Sequence, residues 1–179
     1  MIHNNLKKFY FVKDFDKDHI KSLNNNINII YRNYTEKYDE LKILEIKKFC
    51  KKNGKNFFLA NNIKLTIKLR LDGAYIPSFN KSVSVKGLTH RKILMLGSAH
   101  NLKEINQKKN QGVQIIFLSP LFKIKKSHNS LGIIKFNILS NFFTGKTVAL
   151  GGINKKNIQK IKALKCFGFA SISYIRETA

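Results

Sequence analysis

The chain alternates short apolar runs, rich in β-branched and aromatic residues, with longer segments whose apolar residues recur at helical spacing. The eight runs predicted as strands span 9–13, 27–31, 56–60, 73–77, 92–99, 113–120, 147–152 and 166–173. Runs such as IIFL and FFLA are apolar at every position, which is typical of parallel strands buried on both faces. The pattern therefore predicts an α/β fold, either a doubly wound sheet or a closed barrel.

Polar residues that commonly begin helices follow most of these strands. The predicted helix starts are Asp14 or Asp16, Thr35 with Tyr38 and Asp39, Asn101, and Asn154. Asn53 and Gly54 predict the end of the second helix, and the polar stretch 78–91 predicts a loop that replaces most of another. Eight β/α units usually need about 200 residues or more. A chain of 179 residues is thus expected to form a single domain, 1–179, with shortened helices.

The charge is strongly positive, with 34 Lys and Arg against 10 Asp and Glu, a formal net charge of +24. Such a field attracts anions, including phosphorylated metabolites, nucleic acids and anionic membranes. The lysines are spread over the whole chain among many Ile and Asn residues, as a compositional bias would produce, and form no single stripe. The distribution favours small phosphorylated substrates and argues against a nucleic-acid partner.

Two cysteines, Cys50 and Cys166, lie in apolar surroundings without metal-ligand spacing, which predicts core thiols in a reducing compartment. The amino terminus has no secretion-signal pattern, and no apolar run reaches the roughly 18 residues of a membrane span. We therefore expect a cytoplasmic protein that makes no membrane contact. The pattern gives no indication of an oligomeric state.

The clearest chemical signal is the pair Gly151-Gly152, which ends one predicted strand just before the predicted cap Asn154. Glycines allow close approach of the backbone to a ligand, and the free N–H groups of a helix start favour an anion. The next strand ends in a second small-residue turn that contains Ser171 and Ser173. These turns predict a phosphate-binding site in the last third of the chain; the alternative is that they only pack a helix on a strand.

Three segments make a family resemblance specific: QGVQIIFLSPLF at 111–122, TVALGGINKKNIQKI at 147–161 and FGFASIS at 167–173. Together they resemble the thiamine phosphate synthase and thiazole tautomerase family, and looser matches extend the register over almost the whole chain. The resemblance implies a single (β/α)8 TIM barrel. It also implies thiamine biosynthesis by a transferase that joins hydroxymethylpyrimidine diphosphate to thiazole phosphate, giving thiamine monophosphate and pyrophosphate.

The resemblance assigns residues one at a time. Arg32 matches the family's diphosphate-binding arginine, while Asn61 and Ser98 match substrate-binding positions. The phosphate frame is retained at Gly151, Gly152, Ser171 and Ser173. The family also implies Mg²⁺, but Asn62 and Asn80 stand where its two metal-binding aspartates are expected. Neutral amides are weaker Mg²⁺ ligands than carboxylates, so the metal is in doubt here.

The loop after the sixth strand departs from the family as well. It carries no threonine at Ile124, but Lys123, Lys125 and Lys126 keep it basic. We expect Lys125 or Lys126 to reach a phosphate as a flexible point charge, the alternative being a solvated basic loop. Pro120 occupies the place of the catalytic histidine of the tautomerase branch, which argues against that chemistry.

Four functions are consistent with these residues to different degrees. A divergent thiamine phosphate synthase is favoured, followed by a non-catalytic phosphate-binding barrel of the same family that has lost its metal carboxylates. A tautomerase-like enzyme comes third, and a nucleic-acid-binding protein, which rests on charge alone, comes last.

Overall fold

In the computed structural model, which describes residues 6–35, 37–83, 93–124 and 129–178, eight parallel strands close into a barrel in chain order. The strands are β1 Lys7–Val12, β2 Ile27–Tyr31, β3 Phe57–Ala60, β4 Gly73–Ile76, β5 Leu94–Ala99, β6 Ile115–Leu118, β7 Lys146–Leu150 and β8 Gly168–Ala170. Closure comes from β1 and β8, where Lys7 pairs with Gly168 and Phe9 with Ala170. The structure confirms the predicted barrel over the doubly wound sheet.

The helices are short, as the chain length predicts, and the longest of those described, Glu40–Lys52, has 13 residues. They are α1 Lys17–Ser22, α2 Glu40–Lys52, α3 Ile63–Lys68, α4 Leu102–Asn110, α5 Gly132–Ser140 and α6 Ser173–Arg176, with a 3₁₀ helix at Ile158–Ala163 between β7 and β8. None of the helices in the described ranges is long and apolar enough to cross a membrane.

Aromatic side chains fill the inside of the barrel. Phe9 and Phe11 point inward from β1, while Tyr10 and Val12 alternate with them and pack against the helices. The ring of Phe117 lies edge-on to those of Phe9 and Tyr75, at centroid distances of 5.0 and 5.5 Å. Because these rings block the lumen, the barrel is a packed core, and a ligand can bind at its ends only.

Two predicted caps are confirmed by side-chain hydrogen bonds. Asp16 accepts from the N–H of His19 at the start of α1, and Asn101 accepts from the N–H of Glu104 at the start of α4. Asn53 and Gly54 end α2 as predicted, with Gly54 in the left-handed conformation at φ +63°. Both cysteines are free: Cys50 lies on the buried face of α2, and Cys166 is half-buried.

The prediction that Thr35, with Tyr38 and Asp39, opens α2 was wrong for Thr35. The helix begins at Glu40, and Asp39 is its cap, accepting from the N–H of Leu41 at 2.9 Å. Thr35 instead donates its hydroxyl and its N–H to Oδ1 of Asn33, which forms a local turn that competes with helix.

The prediction of a helix that starts at Asn154 was also wrong in part. Oδ1 of Asn154 accepts from the N–H of Lys156, but the helix that follows is the 3₁₀ helix beginning at Ile158. The side chain of Asn157 binds both the N–H of Asn154 and the carbonyl of Gly152, at 2.9 and 2.7 Å. These bonds close the segment into a turn, so no α-helix N-terminus follows the two glycines.

Candidate phosphate-binding active site

The carboxyl ends of β2, β7 and β8 open onto a cavity of about 500 Å³. It is lined by Arg32, by Gly151 and Gly152 after β7, and by Ser171 and Ser173 after β8. A second cavity of about 610 Å³ shares Arg32 and Gly151 with the first and extends towards His100, Ser119 and Lys135. The two together are large enough for two small substrates that share Arg32.

Gly151 and Gly152 are glycines for two structural reasons. Both have left-handed backbones, with φ of +94° and +71°. A Cβ atom on Gly152 would lie 2.6 Å from the carbonyl oxygen of Phe122, and one on Gly151 would lie 3.0 Å from Pro120. Among the hydrogen bonds of the described residues, none has the N–H of Gly152 as its donor. The turn therefore both packs against the β6 loop and keeps a backbone donor for a ligand.

The two serines after β8 differ in what their hydroxyls do. Ser171 is buried, and its hydroxyl donates to the carbonyl of Ile153 at 2.7 Å and accepts from the N–H of Tyr174 at 3.0 Å. Ser171 thus ties the turn after β7 to the start of α6. Ser173 is exposed to the cavity, which leaves its hydroxyl available to a ligand.

Arg32 lies directly after β2, where its N–H donates to the carbonyl of Val12 at 2.8 Å. Its guanidinium carbon lies 4.6 Å from the centre of the Phe11 ring, so the side chain rests on the aromatic core with its charge at the barrel mouth. Among the residues that the structure describes, Arg32 is the cation that lines both cavities. A guanidinium held in this way suits an anionic oxygen in either cavity.

The three asparagines at the ends of β3 and β4 use their amide oxygens within the protein. Oδ1 of Asn61 accepts from Nδ2 of Asn80 at 2.7 Å, and Oδ1 of Asn80 accepts from the N–H of Ser82 at 3.0 Å. Asn62 caps α3 through the N–H of Leu65. Within the described ranges, no group of three or more His, Cys, Asp or Glu side chains could hold a metal ion. This donor set does not fit a Mg²⁺ site, which needs several unengaged oxygens.

Ser98, at the end of β5, lies inside the mouth with its hydroxyl engaged. It accepts from the N–H of Ser78 at 3.0 Å. Burial raises the pKa of Tyr75, while Ser98 and the charge of Arg32 oppose the rise. His100 links the next loops: Nδ1 is 2.7 Å from the carbonyl oxygen of Ser119, and Nε2 is 3.2 Å from the Ser78 hydroxyl.

Lys125 and Lys126 lie outside the described residues, so their predicted contact with phosphate stays a prediction. Lys123 of the same loop lines the first cavity, and Lys135 of α5 lines the second. Lys135 was missed by the sequence reasoning because it lies in an apolar helix that carries no phosphate-binding motif.

An aromatic pair at the rim was missed as well. Tyr34, in the loop after β2, is 46% exposed, and Phe79, in the loop after β4, is 60% exposed. Their ring centres are 5.4 Å apart in an edge-on arrangement. Exposed rings beside the asparagine amides offer an apolar surface to a planar ligand. The sequence signal was the presence of two bulky aromatic residues at positions directly after strands.

Comparison with known proteins identifies the family. A family model described as thiamine monophosphate synthase matches residues 23–175. The chain belongs to the thiamine monophosphate synthase family. It is 33% identical over 122 residues to the thiamine-phosphate synthase of Prochlorococcus marinus, covering 66% of this chain and 35% of that protein. It is 26% identical over 140 residues to the Helicobacter pylori enzyme, covering 75% and 64% respectively.

Among solved structures, the thiamine phosphate pyrophosphorylase from Pyrococcus furiosus superimposes with a TM-score of 0.75 over 99% of this chain and 93% of that one. At 16% sequence identity this likeness shows the barrel fold alone. The chain spans about a third of the length of the Prochlorococcus relative and just under two thirds of the Helicobacter one.

Proposed function

We propose that this chain is a thiamine phosphate synthase with a role in thiamine biosynthesis. The observation that carries the proposal is the first cavity, of about 500 Å³. It is lined by the cation Arg32 together with the turns of Gly151 and Gly152 and of Ser171 and Ser173. A phosphate on the β7–β8 turns and a diphosphate on Arg32 would meet at this mouth. Membership of the thiamine monophosphate synthase family supports the same reaction.

In this reaction, the ring nitrogen of thiazole phosphate forms a bond to the methylene carbon of the pyrimidine. The bond from that carbon to the diphosphate oxygen breaks, and its electron pair leaves with pyrophosphate. Negative charge therefore grows on the leaving group, and a fixed guanidinium stabilises that charge. Arg32 would act in this way, with Lys123, Lys125 and Lys126 from the β6 loop adding positive charge. Asn61 and Ser98 would orient the pyrimidine diphosphate.

The thiazole phosphate would lie on the opposite side of the mouth. Gly152 would offer its backbone N–H and Ser173 its hydroxyl, while Ser171 holds the two turns together. Mg²⁺, where it binds in such enzymes, neutralises diphosphate. The amide oxygens of Asn62 and Asn80 are already engaged, so Arg32 and the lysines of the β6 loop would neutralise the diphosphate here.

The function is tested by mixing the protein with both substrates and measuring thiamine monophosphate and pyrophosphate, once with Mg²⁺ and once with EDTA. We expect thiamine monophosphate and pyrophosphate to form in amounts equal to each other. If neither product forms where a control synthase turns over, the proposed reaction is rejected.

A non-catalytic phosphate-binding barrel is the second candidate, favoured by the asparagines in place of metal carboxylates. It predicts that thiazole phosphate binds in calorimetry while the protein forms no thiamine monophosphate. Calorimetry in which Mg²⁺ strongly tightens diphosphate binding would exclude it.

The aromatic pair gives a separate prediction. Tyr34→Ala and Phe79→Ala should each raise KM for the pyrimidine diphosphate about tenfold, because stacking on an aromatic ring contributes roughly 1–3 kcal/mol per base. KM for thiazole phosphate should change little. Steady-state kinetics with each substrate varied in turn measures the difference, and Phe142→Ala, at an exposed ring after α5, is the control. Equal changes in both KM values would contradict the assignment.

A further inference from the structure

Lys108 is a lysine that the proposed reaction does not use, and it is completely buried in the last turn of α4. Its ammonium nitrogen donates to the carbonyl oxygens of Pro77 and Asn80, at 2.8 and 2.9 Å, and to Oε1 of Gln111 at 2.8 Å. An ammonium has three N–H groups, and all three have an acceptor here. The loop after β4 is thus wrapped around a buried cation.

The neighbours of Lys108 complete this arrangement. Nε2 of Gln111 donates to the carbonyls of Asn80 and Ser82, which ties the same loop to α4 a second time. A Cβ atom on Gly97 of β5 would lie 3.1 Å from Cδ of Lys108, so the glycine leaves room for the lysine stem. Strand, helix and loop are therefore all fitted to one charged side chain.

The loop held in this way forms one side of the candidate site. Asn80, whose carbonyl binds the ammonium, donates its amide to Asn61, and Ser78 contacts both Ser98 and His100. The charged nitrogen of Lys108 thus donates directly to Asn80, which lies between it and the mouth. Lys108 is therefore on the same side of the barrel mouth as Asn61 and Asn80, and the described residues there do not fit a metal ion.

We propose that Lys108 is a positioning residue for diphosphate binding: its buried ammonium fixes the loop that carries Ser78 and Asn80 and supplies positive charge behind it. The proposal rests on the proposed function for the identity of the anion. It differs from that function in assigning a role to a side chain that touches no substrate.

The charge behind the β4 loop depends on whether the Lys108 amine is protonated. Burial lowers the pKa of Lys108 to about 8, and the carboxylate of Glu104 on the same helix opposes the change. The described part of the β4 loop contributes the exposed Lys81, and β5 contributes no charged side chain. Above about pH 8 the amine is neutral, with two N–H groups for three acceptors and no charge for the anion. Bound diphosphate favours the charged form.

The test is calorimetry of inorganic pyrophosphate binding to wild type, Lys108→Met and Lys55→Met from pH 6.5 to 9.5. Lys55 is the matched control, because it is also buried, donates to the carbonyls of Leu23 and Asn24, and has a pKa lowered by burial. It precedes β3 and therefore lies at the opposite end of the barrel. Pyrophosphate also changes its protonation over this pH range. The affinities are therefore compared as the ratio of wild type to variant, in which the effect of the ligand's own titration cancels.

We expect Lys108→Met to bind pyrophosphate about tenfold more weakly than wild type at pH 7, a loss of about 1.4 kcal/mol. The ratio should fall as pH rises through 8, because wild type then loses the charge that the variant never had. Lys55→Met should stay within about twofold of wild type at every pH. A ratio near one at pH 7, or a larger ratio that does not change with pH, would overturn the proposal.

A second measurement needs no variant and no ligand. In NMR titrations of the wild-type protein, the backbone amides of Ser78 and Asn80 should shift with the same midpoint as the Cε signal of Lys108. Absence of a shared midpoint overturns the proposal even where Lys108→Met fails to fold. If wild type binds no pyrophosphate, the proposed function fails, and this titration still decides the role of Lys108.

Discussion

Arg32→Ala is expected to lower synthase turnover by about 10²–10³-fold, the usual effect of removing a group that stabilises charge in the transition state. Arg32 lines both cavities at the mouth and is held against the Phe11 ring at 4.6 Å. In the proposed reaction, loss of the guanidinium would leave the growing charge on pyrophosphate without its fixed partner. Arg32→Lys should recover only part of the rate, because an ammonium lacks the planar fork that binds two oxygens.

The control for Arg32 is Arg70→Ala, which removes the same charge from the segment between α3 and β4, at the other end of the barrel. On a chain with a net charge of +24, this comparison separates a local effect from a general weakening of the field. The contact of Arg32 with Phe11 contributes only about 0.5–2 kcal/mol, so Arg32→Ala should remain folded. Equal turnover in the two alanine variants would remove Arg32 from the mechanism.

The barrel could be predicted because its strands are buried on both faces and are separated by polar caps and turns. The strand Ile27–Tyr31 has the predicted bounds, whereas β8, predicted over 166–173, spans only Gly168–Ala170. After β8 the Ser171 hydroxyl donates to the carbonyl of Ile153. The two helix starts that were wrong, at Thr35 and Asn154, share a cause. In each, a nearby asparagine side chain binds backbone or hydroxyl groups and closes a turn.

The site could be predicted only in its local parts. Paired glycines after a strand are visible in the sequence, and so is an arginine directly after another strand. The contacts of Tyr34 with Phe79 and of Lys108 with Asn80 join segments far apart in the chain, so no local pattern encodes them. The sequence predicts that a lysine in the last turn of a polar helix is exposed, and only the tertiary structure shows that Lys108 is buried against a loop.

Gly152→Ala should be the most damaging single-methyl change in the site, lowering the free energy of unfolding by about 2–4 kcal/mol. Two costs add: the left-handed backbone at φ +71°, about 1 kcal/mol for a non-glycine residue, and overpacking, about 1–3 kcal/mol. The new methyl group would lie 2.6 Å from the carbonyl oxygen of Phe122 and 2.8 Å from that of Lys123. These are backbone atoms, so the whole β6 loop must move.

Gly132→Ala separates these two costs. Gly132 has φ +63°, close to that of Gly152, but among the described residues no atom beyond its chain neighbours and its own helix backbone lies within 4 Å of its added Cβ. This variant should therefore lose about 1 kcal/mol from the backbone alone and keep its activity. Gly152→Ala should also bind thiazole phosphate more weakly at temperatures where it is folded. The β6 loop that must move carries Lys123, which lines the cavity. Chemical denaturation and calorimetry of both variants measure the difference. Matching stabilities would mean that the turn tolerates a side chain against the β6 loop, and the close packing of the two loops would then not explain the glycine.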